Sequence, residues 1–332
     1  MRCGVAAGLV FLGFVVTGSP GREASAPAAP GIVASPVGRV VAKVPIPAGT
    51  GGFAVGEGAV WAVSDAVPVL TRIDPKRNAR AASIKLKLHM ACPPLAPGCG
   101  EVAAGDGSVW VAHALDNDVT RVDPQTNKVV ASIKVGSEPR PVAFSPGAVW
   151  AVNGGADTLS RISPSKNRTV KTIRIGPVLA ANDRMGVTAA GGVVWVSLPT
   201  RHSVIRVDAR TNRIVKRIHT AAQVCGFLAG NGAGIWASTA HCGHHVFLID
   251  QRTNRVTRQV RGKLQAPIGV AFGLGSLWIA DLDAQTIDRV DPRTGRMLGR
   301  LHVGGQPVRI AVGFGSVWVR DDSGRVLRIQ PS

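Results

Sequence analysis

Residues 101–136 read EVAAGDGSVWVAHALDNDVTRVDPQTNKVVASIKVG, and variants of this stretch repeat along the chain. The tryptophan in it follows a glycine-containing turn, and tryptophan recurs in that setting at steps of 49, 40, 45, 41, 42 and 40 residues. These are the seven tryptophans of the sequence: Trp61, Trp110, Trp150, Trp195, Trp236, Trp278 and Trp318. A period in the forties with one aromatic anchor per unit is typical of a β-propeller.

Each repeat divides into four short strands. In the quoted unit we expect strands over residues 101–104, 108–113, 118–123 and 128–135, because Gly, Asp, Asn and Pro form turns between them. The last repeat holds only three such strands, whereas residues 38–46 resemble the missing fourth. The sequence therefore predicts one all-β domain over residues 38–332, a seven-bladed propeller of four-stranded antiparallel blades. Its N-terminal strand 38–46 closes the ring by joining the C-terminal blade.

Residues 1–28 have the features of an export signal, with Arg2 before an apolar stretch and with small residues at Ala26 and Ala28. We expect residues 29–37 to be a disordered lead-in and the mature chain to be a monomer without a transmembrane segment. Export predicts a secreted or cell-envelope location. Whether the signal is cleaved or retained as an anchor stays open.

Four cysteines follow the signal, an even number that suits an oxidising compartment: Cys92, Cys99, Cys225 and Cys242. Of three pairings, we prefer Cys92–Cys99, which bracket one Pro-rich insertion, and Cys225–Cys242, which flank one predicted hairpin.

The histidines beside Cys242 in HCGHH, residues 241–245, raise the alternative of zinc. Zinc needs four nitrogen or sulfur ligands. A disulfide would consume Cys242, so we expect a structural loop there and no metal.

The formal charge is +19, from 39 Lys and Arg against 20 Asp and Glu. Such a charge attracts polyanions. The basic residues recur once per repeat, however, which favours dispersed solubilising charge. Cations in the fourth strands would keep the exposed blade edges from pairing with other molecules: Lys85, Lys134, Lys171, Arg217, Arg258 and Arg300.

An arginine also recurs two residues before the turn that joins the third and fourth strands: Arg72, Arg121, Arg161, Arg206 and Arg289. A ligand contact and a bond between blades are both open interpretations. We favour the bond between blades, because a residue repeated in most units is usually architectural.

The unit P-x-x-V-A-x-G-x-G-S-V-W-V-A … V-x-R-V-D-P-x-T-N-K-V-V resembles the YVTN/YncE-type propeller repeat and the related virginiamycin B (streptogramin) lyase propellers. The resemblance covers residues 38–331 and implies a seven-bladed ring, often exported, with ligands around the central channel. The lyases typically carry W-F-x-E and Mg²⁺ at the channel mouth. Here no Glu stands three residues after a tryptophan, so that catalytic set does not carry over as a set.

Candidate site residues gather where the second strands end, on the face that also carries the connections between blades. Three residues after the tryptophans stand Ser64, His113, Asn153, Leu198, Thr239, Asp281 and Asp321. Charged residues open two of the first strands, Glu101 and Arg309, and loops add His89, Arg140, Arg184 and His241. His113 is the candidate general base, and Asp281 or Asp321 would orient it or bind a cation such as Mg²⁺ or Ca²⁺. The other interpretation is a solvated polar rim.

We expect an exported binding or scaffold protein that needs no cofactor and takes a protein, a peptide or a small polar ligand at the axial mouth. One alternative is a metal-dependent C–O lyase or hydrolase of the streptogramin lyase type. Another is electrostatic binding to an anionic envelope polymer or DNA. The sequence has no Walker loop, no G-x-S-x-G elbow and no H-E-x-x-H motif.

Overall fold

The computed structural model describes residues 37–49, 51–64, 67–87, 100–178, 185–230 and 232–332. Within them the strands form seven sheets of four antiparallel strands each. The predicted all-β seven-bladed propeller is therefore confirmed. The signal segment 1–28 and most of the lead-in lie outside the described residues.

In sequence order the first three blades are each continuous. Blade 1 contains β2 (Phe53–Gly56), β3 (Ala59–Val63), β4 (Val69–Asp74) and β5 (Ala79–Lys85). Blade 2 contains β6 (Gly100–Gly105), β7 (Ser108–His113), β8 (Asp118–Asp123) and β9 (Lys128–Lys134). Blade 3 contains β10 (Pro139–Ser145), β11 (Ala148–Asn153), β12 (Thr158–Ser163) and β13 (Arg168–Arg174).

Blades 4 and 5 each include one 3₁₀ turn, and blade 7 combines both ends of the propeller. Blade 4 contains β14 (Val187–Ala190), β15 (Val193–Leu198), a 3₁₀ turn (Pro199–Arg201), β16 (Ser203–Asp208) and β17 (Arg213–His219). Blade 5 contains β18 (Leu228–Gly230), β19 (Gly234–Ser238), a 3₁₀ turn (Ala240–Cys242), β20 (Val246–Asp250) and β21 (Arg255–Gln259). Blade 6 contains β22 (Pro267–Gly273), β23 (Ser276–Asp281), β24 (Thr286–Val290) and β25 (Met297–His302). Blade 7 contains β26 (Pro307–Gly313), β27 (Ser316–Asp321), β28 (Arg325–Gln330) and β1 (Arg39–Pro45).

We call the four strands of each blade A to D from the axis outward. Because successive strands are antiparallel, the A–B and C–D turns lie on one face of the ring, which we call the turn face. The B–C turns and the D–A connections lie on the other, which we call the loop face. No helix in the described part of the chain is long and apolar enough to cross a bilayer.

The hydrophobic core is divided among the contacts between neighbouring blades, and a fully buried tryptophan stands in each. The contact of blades 2 and 3 shows the pattern: Trp110 and Ala103 pack with Val142 and Ile162. Val102, the neighbour of Ala103 in strand A, packs instead against blade 1. Ala103 thus faces the next blade and Val102 the previous one, because alternate residues of a strand point to opposite sheet faces.

The recurrent arginine joins neighbouring blades, as the favoured interpretation predicts. The Arg121 guanidinium carbon lies 5.1 Å from the Trp110 ring centroid, and Nη1 donates to the Pro164 carbonyl and to Asn167 Oδ1 of blade 3, each at 2.7 Å. Five further arginines stack on the tryptophan of their own blade: Arg72, Arg161, Arg206, Arg289 and Arg328.

The ring closes between blades 7 and 1. Strand β1 pairs with β28 from Arg39↔Gln330 to Pro45↔Arg325, which confirms closure by the N-terminal strand. The fully buried Arg320 of blade 7 donates to the carbonyl oxygens of Gly49 and Gly51, each at 2.8 Å, and to that of Val63. Arg320 was not among the predicted site residues, although it stands two residues after Trp318, where the other repeats have Val, Ala or Ser.

Besides their charge, the outer strands have a second feature that opposes pairing with strands of other molecules. In every blade the register of strands C and D shifts at a β-bulge. A bulge bends an edge and makes it a poor template for another strand. Some of the predicted edge cations have other contacts: Arg217 donates to the Ile175 carbonyl at 3.1 Å, and Arg300 pairs with Asp288 at 2.7 Å.

Candidate functional site

The polar residues three positions after the tryptophans are buried, and they hydrogen-bond to neighbouring protein groups. Asn153 Nδ2 donates to Thr158 Oγ1 and to Ser160 Oγ, each at 2.9 Å. Ser64 Oγ donates to the Ala48 carbonyl at 2.8 Å. These side chains fasten the connections of the loop face.

The two candidate acids among these residues, Asp281 and Asp321, make similar contacts. The Asp281 carboxylate accepts the backbone N–H groups of Gln265 and Ala266, each at 2.8 Å. The Asp321 carboxylate forms an ion pair with Arg325 at 2.6 Å. Both carboxylates are fully buried, and each binds groups at the loop-face end of its own blade.

His113, the candidate base, is buried at the end of β7. Its Nε2 lies 3.2 Å from Thr120 Oγ1. Burial lowers the pKa of His113 below its usual value, and the nearby Asp118 and Asp116 only partly oppose this effect. The described contacts join His113 to neither Asp281 nor Asp321.

The axis carries a different set of side chains. Nine residues before the tryptophans stand Gly52, Glu101, Pro141, Gly186, Phe227, Gly269 and Arg309. The Arg309 guanidinium lies 2.5 Å from Glu101 Oε1 and, measured at its carbon, 4.2 Å from the Phe227 ring centroid. Arg309 belongs to blade 7, Glu101 to blade 2, and Phe227 directly precedes blade 5. Since these blades are not neighbours, the three side chains meet across the central channel.

The axial contact is shielded from water. The side chains of Arg309 and Glu101 are 6% and 13% exposed. Separating a buried ion pair would leave a buried charge without a partner, which is unfavourable. The pair therefore holds the two side chains in one orientation. At Gly52 an added Cβ would lie 2.5 Å from the Glu101 Cα, so a side chain is excluded there. Glu101 and Arg309 were predicted site residues, whereas Phe227 was not, although it too stands nine residues before a tryptophan.

The remaining candidates are scattered. Arg140 is the second residue of strand A in blade 3 and pairs with Glu138 at 3.4 Å. His241 is exposed on the 3₁₀ turn of blade 5. His89 and Arg184 lie outside the described residues.

The cysteine pairing is confirmed where the structure describes it. Cys225 and Cys242 form a disulfide with a Cα–Cα distance of 6.0 Å, whereas Cys92 and Cys99 lie outside the described residues. His244 contacts the Gln265 carbonyl, and His245 Nδ1 lies 2.8 Å from Gln259 Nε2. Among the described residues no group of three or more His, Cys, Asp or Glu side chains could hold a metal ion.

Solved structures with a similar fold include the following two. One is Kuenenia stuttgartiensis hydrazine synthase, with a TM-score of 0.68 and 14% identity over 86% of this chain and 96% of that chain. The other is virginiamycin B lyase from Staphylococcus aureus, with a TM-score of 0.68 and 13% identity over 87% of this chain and 98% of that chain. At these identities the likeness shows a shared fold. The sequence matches no protein-family model and no curated protein.

Proposed function

We propose that the chain is an exported binding or scaffold protein whose ligand or partner site lies at the axial mouth of the loop face. The observation that carries this proposal is the Arg309 guanidinium, held across the channel by Glu101 and Phe227. A guanidinium offers parallel donors that match a carboxylate. A carboxylate on a small molecule or a peptide can therefore take the place of Glu101.

A metal-dependent lyase or hydrolase is the second interpretation. A general base must reach the proton that it removes, and His113 is buried against Thr120 with a lowered pKa. A divalent cation needs available oxygen ligands, whereas Asp281 and Asp321 accept hydrogen bonds from backbone amides and from Arg325. Both roles require buried side chains to leave their partners, but binding needs only the exchange of Glu101 for another carboxylate at Arg309, which favours binding over catalysis. Attraction of polyanions by the net charge of +19 is the third interpretation.

The test is a thermal-shift screen of the full chain against acidic peptides, cell-wall fragments, cyclic depsipeptides and divalent metals, at low and high salt. A ligand that binds the native state raises Tm. We expect a carboxylate ligand to raise Tm at both salt concentrations, and more strongly in Glu101→Gln, where the internal competitor has lost its negative charge. Glu101→Gln retains a hydrogen-bond acceptor for Arg309.

The matched variant is Arg309→Met, which we expect to abolish the shift. A shift that Glu101→Gln leaves unchanged would contradict the proposed mouth site, whether or not Arg309→Met folds. Metal-dependent turnover that is lost in His113→Gln would support the enzyme instead. Shifts that occur only with polyanions and vanish in salt would support the electrostatic interpretation.

A further inference from the structure

The turn face exposes large apolar side chains near the axis. Leu274 is 45% exposed and Phe314 is 44% exposed, and both lie at the tips of A–B turns. Phe272, at the end of strand A in blade 6, is 37% exposed. The two turns belong to neighbouring blades, so these side chains lie on the same sector of the turn face, and we call them the apolar tips.

The backbone at these turns would suit other residues better. Leu274 and Phe314 each have a φ of 52°, and the glycines after them also have positive φ. Such two-residue hairpins prefer Asn, Asp or Gly at the first position. A bulky apolar residue in the left-handed region is uncommon. Neither burial nor turn geometry accounts for these residues, which indicates that they contact something outside the molecule.

Cations surround the apolar tips. Five C–D turns carry an exposed Lys or Arg: Lys76, Lys166, Arg210, Arg252 and Arg293. Further exposed cations lie in these turns or at the turn-face ends of strands D: Arg39, Arg77, Arg80, Lys128, Arg168, Arg213, Arg255 and Arg296.

The acidic groups on this face are fewer and are bound to backbone amides. The turn aspartates have pKa values lowered by backbone hydrogen bonds: Asp74, Asp123, Asp208, Asp250 and Asp291. Glu57 and Asp106 accept the amides of Gly107 and Gly147 in the next A–B turns, at 3.2 and 3.1 Å. The turn face is therefore positively charged overall.

We propose that the turn face docks on a lipid bilayer that contains anionic lipids. The turns of all blades lie on one side of the ring, so the charges present a broad surface rather than a groove. Apolar side chains that enter the interface and cations that meet anionic headgroups together give stable attachment, which neither signal gives alone. A cavity of about 650 Å³ beside Phe314 is lined by Lys76, by Asp74, and by Arg72 and Arg328, which also bond to neighbouring blades. Lys76 is therefore the cation that it offers to a headgroup phosphate next to an apolar tip.

The experiment is co-sedimentation of the full chain with vesicles of phosphatidylglycerol and phosphatidylcholine, against vesicles of phosphatidylcholine alone. We expect binding to the mixed vesicles only. The double variant Leu274→Asn, Phe314→Asn should bind about tenfold more weakly or worse, because two apolar contacts are lost. Its Tm should be unchanged or higher, since Asn accepts the left-handed conformation. The matched control Leu115→Asn, at an exposed leucine of the loop face, should bind as the wild type does.

Absence of binding to the mixed vesicles would overturn the proposal. Binding that survives the double variant and falls only with salt would overturn it too, because it would show attraction to polyanions without insertion. These residues lie on the face opposite the proposed mouth site, so failure here leaves the Arg309 experiment unaffected.

Discussion

Blades 2 and 5 share one plan but are secured differently. Strands A and D have 6 and 7 residues in blade 2, but 3 and 5 in blade 5. In blade 2, Arg121 stacks on Trp110 and bonds to blade 3. In blade 5, Leu248 occupies the place of that arginine, and Trp236 Nε1 has no hydrogen-bond partner among the described residues.

Two features replace what blade 5 lacks. The disulfide Cys225–Cys242 ties the segment before strand A to the turn after strand B. Arg258, which pairs with Leu248 in the neighbouring strand, donates to the Pro292 carbonyl of blade 6 at 3.2 Å. The comparison teaches that each blade needs a bond to the next, whereas the sequence position that supplies the bond can change.

The largest expected effect is at the disulfide. The variant Cys225→Ala, Cys242→Ala should lose about 3 kcal/mol of unfolding free energy, because the bond spans 17 residues of a blade with short strands. Urea unfolding measures the loss. Wild-type protein in reductant is the control and should lose about as much. If it stays as stable as the oxidised protein, the loss comes from the alanine at buried position 225 and not from the broken bond.

The next effect is at the blade 2 arginine. Arg121→Met should cost about 2 kcal/mol, because methionine keeps the apolar packing but loses the charged hydrogen bonds and the stacking on Trp110. The matched variant in blade 5, Leu248→Met, conserves volume and loses no hydrogen bond, so it should cost less. Equal losses in chemical denaturation would show that the arginine acts only through its alkyl chain.

The repeated blades and the ring closure could be predicted from the sequence. Contacts between blades that face each other across the central channel could not. The tryptophan spacing sufficed for seven blades and for closure by residues 38–46, because each unit carries its own turn signals. The contact of Phe227 with Arg309 joins blades that are not neighbours, and no local pattern encodes it. The polar residues three positions after the tryptophans, such as Asp281, vary along the sequence, yet they share the task of fastening the loop face.

A smaller effect tests whether Arg258 substitutes for the missing arginine. Arg258→Ala should cost about 1 kcal/mol, the usual worth of one such hydrogen bond. Adding Leu248→Arg recreates the pair that blade 2 has in Arg121 and Ala131, and we expect it to restore stability. A double-mutant cycle measures the coupling. Strictly additive losses would mean that the two positions do not serve the same bond.

The smallest expected effect is a pH dependence of stability that arises in blade 2 but not in blade 5, because blade 2 has His113 where blade 5 has Thr239. Burial lowers the pKa of His113 in the folded state below its usual value of about 6.5. Between that lowered value and pH 6.5 the unfolded chain binds more protons, so stability falls as the pH drops through this window. His113→Gln retains a polar group for Thr120 and should flatten the dependence of Tm on pH there, while Thr239→Ser should not. An unchanged slope in His113→Gln would mean that His113 binds protons equally in the folded and unfolded states, and the acid sensitivity would then belong to other groups.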